Sequence, residues 1–296
     1  MSLAELLQSN APLLLDGAMG TQLDAMGLPM SGEMNLSHPD AVAAIHRQYI
    51  ESGCDLVTTN TFTANRLYIE THALNLDVRA VNLAGVKLAR SAATPRHYVL
   101  GDIGSTGQLL APYGKYGETQ FLDTFKEQAT LLAEAGVDGF IVETMMDLRE
   151  ALCAVRACSA VAALPVLCTL AFRTSHQGGR TIMGNGAAEG ARALVDAGAS
   201  AVGANCGEIA PVEMAEVIAI MKNAVAVPLL AQPNAGRPRV VEGKAQFDMS
   251  PVEFAHGIEA CIQAGAGLVG GCCGTSPAHL REVAKLLHKS PGDFKP

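Results

Sequence analysis

The chain has 296 residues, 49% of them hydrophobic and 4% aromatic, with no Trp and a formal net charge of −8. That length suits one large core, and the composition excludes a disordered or fibrous chain. The acidic balance argues against nucleic acid or an anionic membrane as partner, no apolar run approaches the ~20 residues of a membrane span, and Met1-Ser2-Leu3-Ala4-Glu5 lacks the basic start of a signal peptide.

In chain order there are eight short apolar runs, seven of them with a polar group at or just past the end: Asp16, Asn60, Asp102, Glu143, Asn205, Asn234 and Cys272. The runs are Leu13 to Asp16, the run ending at Asn60, Tyr98 to Asp102, the run ending at Glu143, Val166 to Phe172, the run ending at Asn205-Cys206, Pro228 to Pro233, and the run ending at Cys272-Cys273. Helical patterns separate them over 39–52, 75–93, 119–135, 147–161, 186–197, 212–223, 250–264 and 277–288. Ser250-Pro251 with Glu253, and Ser276-Pro277, are helix-start signals. Four segments repeat one design: Gly53, Gly136, Gly198 and Gly265 each stand seven residues before a polar strand end. A Gly there reads as the residue just past a helix, followed by a tight turn and a buried strand. Eight strand–helix alternations with polar ends predict an α/β fold, a (β/α)8 TIM barrel forming a single domain over 1–296, with its reactive groups at the C-terminal face. A doubly wound open sheet is the alternative. Its phosphate-binding turn needs Gly-x-Gly-x-x-Gly, whereas the first turn here is Asp16-Gly17-Ala18-Met19-Gly20-Thr21. The longest irregular stretch, Arg173 to Gly186, follows the fifth strand and reads equally as a lid or a surface loop.

Eight cysteines in a chain without a leader read as reduced, cytoplasmic thiols. Cys54, Cys153, Cys158, Cys168 and Cys261 fall in helical or mid-strand contexts and read as small buried hydrophobes. Cys206, Cys272 and Cys273 stand at the ends of strands six and eight, with only strand seven between them. Glycines 270, 271 and 274 allow the turn that would aim both members of the Cys-Cys pair at one ion. Three thiolates favour zinc, and an open fourth position marks a site of chemistry rather than of structure. A redox pair is the alternative; a disulfide between neighbours is strained. The eight His residues are scattered and read mostly as surface groups, none required as a ligand. Such an electron-rich ion suits binding and ionising a substrate thiol better than making hydroxide.

The segments Asp16-Gly17-Ala18-Met19-Gly20-Thr21, Asn60-Thr61-Phe62-Thr63-Ala64-Asn65, Glu143-Thr144-Met145-Met146-Asp147, Asn205-Cys206, Gln232-Pro233-Asn234-Ala235-Gly236 and Gly270-Gly271-Cys272-Cys273-Gly274-Thr275 resemble, in order, the homocysteine S-methyltransferase family. The resemblance runs from about residue 11 to 288. It is nearest to the homocysteine-binding module of cobalamin-dependent methionine synthases. The resemblance implies Zn²⁺ on Cys206, Cys272 and Cys273, with the sulfur of L-homocysteine as fourth ligand. It implies that Asp16 and Glu143 face the substrate's ammonium, and that backbone N–H groups at glycine-rich strand ends, Gly17 among them, lie near its carboxylate. Asn234, between the two thiol strands, is a further substrate contact or a plain turn. Asn60, Asn65 and Ser105 are weaker candidates, of which at most one is expected at the ligand. The methyl donor implied is methylcobalamin on a separate corrinoid protein. The segment Leu109 to Gly117 is either part of a docking rim for it or an ordinary loop. S-Methylmethionine and S-adenosylmethionine stay open as donors, as do another small thiol as acceptor and a non-catalytic binding subunit. Betaine is disfavoured: aromatics are few, and Thr144 stands where betaine-using relatives resemble one another in carrying Tyr.

Overall fold

A computed structural model describes residues 1–9, 11–241 and 244–287. Its eight parallel strands are β1 Leu13–Leu14, β2 Leu56–Thr58, β3 Tyr98–Ile103, β4 Gly139–Met145, β5 Val166–Leu170, β6 Ala201–Asn205, β7 Leu229–Gln232 and β8 Ala266–Val269. They pair in the order β1-β8-β7-β6-β5-β4-β3-β2. The barrel closes between β1 and β2 through the Leu15–Leu56 bridge, with Asp16 N donating to Leu56 O at 3.0 Å and Asp55 N to Leu14 O at 2.7 Å. A sequential order that closes on itself excludes the doubly wound alternative.

The main helices are Pro39–Glu51, Val78–Ala92, Glu118–Glu134, Leu148–Val161, Ala187–Asp196, Pro211–Lys222, Pro251–Gln263 and Pro277–Leu286. They match the eight helical patterns to within three residues; the expected continuation to His288 lies outside the described residues. Gly53, Gly136, Gly198 and Gly265 all have positive φ, between 89° and 113°. Each ends a helix in the left-handed conformation that L-residues resist, which is why the repeat carries Gly at these places. At Ser250 the hydroxyl caps Glu253 N and the Glu253 carboxylate accepts from Ser250 N at 3.0 Å. At Ser276 the cap works through His279, whose Nδ1 accepts from Ser276 N at 3.2 Å.

The barrel interior begins with an apolar layer that includes Leu15, Leu56, Leu100, Ile141, Leu167, Leu230 and Leu268, closed from below by Leu3 and Leu7. Side chains alternate along a strand, so the next inward positions lie two residues further on. Those are Thr58, Asp102, Glu143, Thr169 and Gln232, and the step after brings Asn60, Asn205, Asn234 and Cys272. The polar groups are therefore stacked above a dry floor at the C-terminal end.

The structure departs from the sequence reading in three ways. Arg173 to Gly186 is not wholly irregular: Phe172–Thr174 pairs antiparallel with Arg180–Thr181. The segment after β1 carries helices Gly20–Ala25 and Met34–Ser37, and a second antiparallel hairpin joins Arg239–Val241 to Lys244–Gln246 after β7. His46, His97 and His279 are buried rather than at the surface. Among the described residues no helix is long and apolar enough to cross a membrane.

Candidate metal and substrate site

Cys206, Cys272 and Cys273 converge: their sulfurs lie within 4.8 Å of one another. Tetrahedral zinc, with Zn–S near 2.3 Å, sets its sulfurs about 3.8 Å apart. The trio therefore fits one ion, and three soft donors with one open corner suit zinc.

Local backbone geometry explains the convergence. Cys206 follows β6 directly and has φ +51°, which swings its side chain out of the strand's alternation. Its N–H donates to Gln232 O at 3.1 Å. After β8, Cys272 N donates to Pro233 O at 2.9 Å, and Cys273 O accepts from Ala235 N at 2.9 Å. The Cys-Cys loop is thus sewn onto the segment after β7. Of its glycines only Gly274 turns with positive φ, +78°. Gly271 is needed for space, because a Cβ there would stand 2.5 Å from Thr275 Oγ1.

The electrostatics of the bare trio call for a cation. Hydrogen bonds from the Cys272 and Cys273 thiols push the Cys206 thiol down to about 3. That thiolate in turn pushes Cys272 well up and Cys273 up to about 12. Without an ion the three sulfurs share about one negative charge. A divalent ion lets all three ionise. The other cysteines behave differently: burial raises Cys153 to about 11 and Cys261 to about 12, which keeps them inert.

The sulfurs open onto a cavity of about 320 Å³. Gly17, Asp102, Glu143 and Gln232 line it, together with Met19, Met30 and Phe62. The loop over the cavity is therefore 17–32, after β1; no residue of 173–186 lines it. That loop is tied to the cysteine loop, since Ala18 N donates to Thr275 Oγ1 at 3.0 Å and Gln22 Nε2 to Thr275 O at 3.0 Å.

Asn205 organises the wall. Its Nδ2 donates to Glu143 Oε2 at 2.7 Å and to Thr144 Oγ1 at 2.7 Å, and lies 3.8 Å from Cys272 Sγ. Its Oδ1 accepts from Thr144 N and Thr169 Oγ1, both at 2.8 Å. Thr144 has φ +58°, a strained conformation that these bonds hold in place. Burial raises Glu143 to about 7, helped by the negative charge at Cys206. Burial and the neighbouring Glu143 also raise Asp102 well above the usual carboxyl range.

The remaining candidates divide. Asp16 is 2% exposed and sits just below the wall, its oxygens accepting from Thr58 N at 2.8 Å and Thr58 Oγ1 at 3.1 Å. Asn234 is buried behind Cys206, donating to Gly207 O at 3.1 Å. Ser105 is off the wall, with its hydroxyl given to Glu150 Oε2 at 2.9 Å. Asn65 caps the helix Arg66–Thr71, its Oδ1 accepting from Tyr68 N at 2.9 Å. Asn60 alone of the weaker candidates lines the cavity. Asp102 and Asn205 closed strand-like runs in the sequence but carried no assigned role there. Their signal was the inward row beyond the apolar floor, Asp102 two residues past Leu100 and Asn205 four past Ala201.

Burial raises the Asp16 carboxyl from 3.8 to about 8. The folded state then holds a proton that the unfolded chain releases. Its contribution to stability is full below pH 3.8 and lost as pH rises to about 8. Melting curves across that window should show wild type falling progressively behind Asp16→Asn, with the two closest at the acid end. Parallel pH profiles would show that the carboxylate is not desolvated.

Exposed apolar groups cluster on the same face. Every large exposed hydrophobic among the described residues except Met1 lies in a segment leaving a strand's C-terminal end or in the first turn of the helix that follows. Tyr113, 75% exposed, and Met30, 64% exposed, are prominent.

Comparison with known proteins agrees with this geometry. The profile of the homocysteine S-methyltransferase family matches residues 13–287. The chain is 34% identical to methionine synthase of Mycobacterium leprae and 32% identical to that of Mycobacterium tuberculosis. Each alignment covers 92% of this chain but 24% of the relative, so the chain spans about a quarter of these curated relatives. Among solved structures, the metallated homocysteine methyltransferase MmuM of Escherichia coli superposes with a TM-score of 0.78 at 22% identity, covering 96% of this chain and 98% of that one. A closed barrel with three converging thiols, matched by the family profile over nearly its whole length, places this chain in the homocysteine S-methyltransferase family.

Proposed function

We propose that this protein transfers a methyl group to the sulfur of L-homocysteine, forming methionine, and that its donor is methylcobalamin carried by a separate corrinoid protein. The observation that carries the acceptor is the reach of Asn205: one amide nitrogen stands 2.7 Å from Glu143 and 3.8 Å from Cys272. A ligand whose ammonium and thiol are a few bonds apart can meet the carboxylate and the thiol trio at once.

Cys206, Cys272 and Cys273 would hold zinc, which when bound supplies a Lewis acid that keeps the substrate thiol ionised at neutral pH. Glu143 receives the ammonium, and a positive charge bound there would in turn favour ionisation of the Asp16 carboxyl buried just below. Gly17 offers backbone at the carboxylate end. The loop 17–32 adds the apolar side chains of Met19 and Met30 to the cavity wall. The sulfur lone pair forms the new S–CH3 bond, and the bond from carbon to donor breaks with its electron pair staying on the donor.

Two features favour a corrinoid protein. The segments leaving the strands' C-terminal ends, the side on which a macromolecular donor must dock, carry the exposed apolar groups. The matched relatives are named methionine synthases and are about four times longer, so most of their machinery lies outside the matched region. Among the described residues Phe62 is the one aromatic on the cavity wall, which offers no cage for a quaternary ammonium. A second reading, a small sulfonium donor, is favoured by the likeness to a homocysteine methyltransferase of nearly the same extent. None of the eight cysteines is in a disulfide, which suits a reducing compartment, and we place the reaction in the cytoplasm.

A donor panel with L-homocysteine tests the proposal: methylcobalamin, S-methylmethionine, S-adenosylmethionine and betaine, with methionine as readout. We expect product from methylcobalamin and none from betaine. With a methylated corrinoid protein as donor, Tyr113→Ala should raise KM several-fold with little change in kcat. Product from S-methylmethionine alone would replace the corrinoid donor, and no product from any donor would leave a binding subunit.

A further inference from the structure

We propose that Asp102 is a substrate-reading residue of this site, meeting the ammonium beside Glu143 and so selecting amino-acid thiols over thiols that lack the amino group. The inference rests on homocysteine as the acceptor.

Asp102 ends the inward row of β3, directly above Leu100. It is 5% exposed and lines the cavity. Its main chain is fixed: Asp102 N donates to Thr59 Oγ1 at 3.0 Å, and Asp102 O accepts from Thr61 Oγ1 at 2.7 Å. The side chain is not. Oδ1 is buried without a partner, whereas the Asp16 oxygens are occupied by Thr58. A buried carboxylate oxygen without a donor is costly, and such groups in a binding cavity mark where a ligand's donors arrive.

The rest of the wall indicates what kind of donor. Its side chains with a buried unpartnered atom are Asp102, through Oδ1, and Gln232, through Oε1, and both are acceptors. Among the described residues no Lys, Arg or His lines the cavity. Asp102 also faces Glu143 within hydrogen-bonding reach, and burial together with this neighbour disfavours the ionised form of Asp102. An arriving ammonium brings a donor to the unpartnered Asp102 Oδ1 and a positive charge that favours the ionised form of both carboxyls. A thiol without an amino group leaves the pair as it was and gains nothing from Asp102.

Titration calorimetry on the zinc-loaded chain tests this, with L-homocysteine and with γ-mercaptobutyrate, its analogue without the amino group. Asp102→Asn keeps the shape and removes the charge. It should weaken homocysteine roughly ten- to a hundred-fold and change γ-mercaptobutyrate by less than about three-fold. Asp102→Ser should give the same selectivity loss, and unchanged zinc content and melting temperature exclude a general collapse. Equal weakening of both thiols, or undiminished homocysteine binding, overturns the role of Asp102 alone. Failure of wild type to bind either thiol overturns the homocysteine reading and Asp102 with it.

Discussion

Replacing any one of Cys206, Cys272 and Cys273 with Ala should strip the protein of zinc and lower methionine formation by about a thousand-fold or more, while the barrel stays folded. A Lewis acid that ionises a thiol contributes several kcal/mol to the barrier, and about 4 kcal/mol corresponds to a thousand-fold. Two thiolates cannot replace three, because the remaining pair would hold the ion with two open corners and correspondingly weaker affinity. The fold should survive, since the three cysteines are half-buried at strand ends and lie outside the apolar clusters. The Cys272 and Cys273 backbones are held by main-chain bonds to Pro233 and Ala235, which a side-chain truncation leaves in place. Zinc stoichiometry, turnover and a melting curve on each variant check the expectation. Cys153→Ala and Cys261→Ala are the controls and should retain metal and turnover; both sites are buried away from the cavity. A trio variant that keeps its full zinc and activity would refute the assignment.

The second large effect is expected at Asn205. Asn205→Ala removes four hydrogen bonds at once and strands Thr144 N–H, a half-buried donor on a strained residue. A buried group left unsatisfied costs about 1–3 kcal/mol, so the variant should lose about 2–4 kcal/mol of stability in denaturant titrations. Glu143 loses the contact that aims it, and the Thr144 backbone is freed to relax. Misplacement of that order costs about a hundred-fold in kcat/KM. Asn205→Asp separates geometry from charge. It is nearly isosteric, but it sets a carboxylate against Glu143 and near Cys272, so homocysteine binding should fall more than stability does. A variant with wild-type KM and midpoint would show that Glu143 is held by other means.

Much of this site was legible in the chain. The four glycines seven residues before a polar terminus predicted helix ends and strand starts, and each adopts the backbone expected of it. The thiols at the ends of strands six and eight predicted convergence, and the sulfurs converge. The means differed in part. The loop glycines were read as hinges, yet Gly271 is there because Thr275 leaves no room for a Cβ. Ser105, one residue beyond Gly104, was a candidate and is instead bound to Glu150. The irregular run after β5 drew attention by its glycines, but the cavity wall belongs to the loop after β1.

The division has a physical basis. Helix ends, strand alternation and the order of polar termini are set by neighbours a few residues away, through backbone sterics and the periods of 3.6 and 2. A single sequence records those directly, and with them the barrel and the cysteine trio. Which carboxyl is left unpartnered, which amide joins Glu143 to Cys272 and which loop roofs the cavity depend on the tilt and stagger of strands distant in sequence. Asp102 and Asn205 acquire their roles only when the sheet closes and β3, β4, β6 and β8 are brought to one rim.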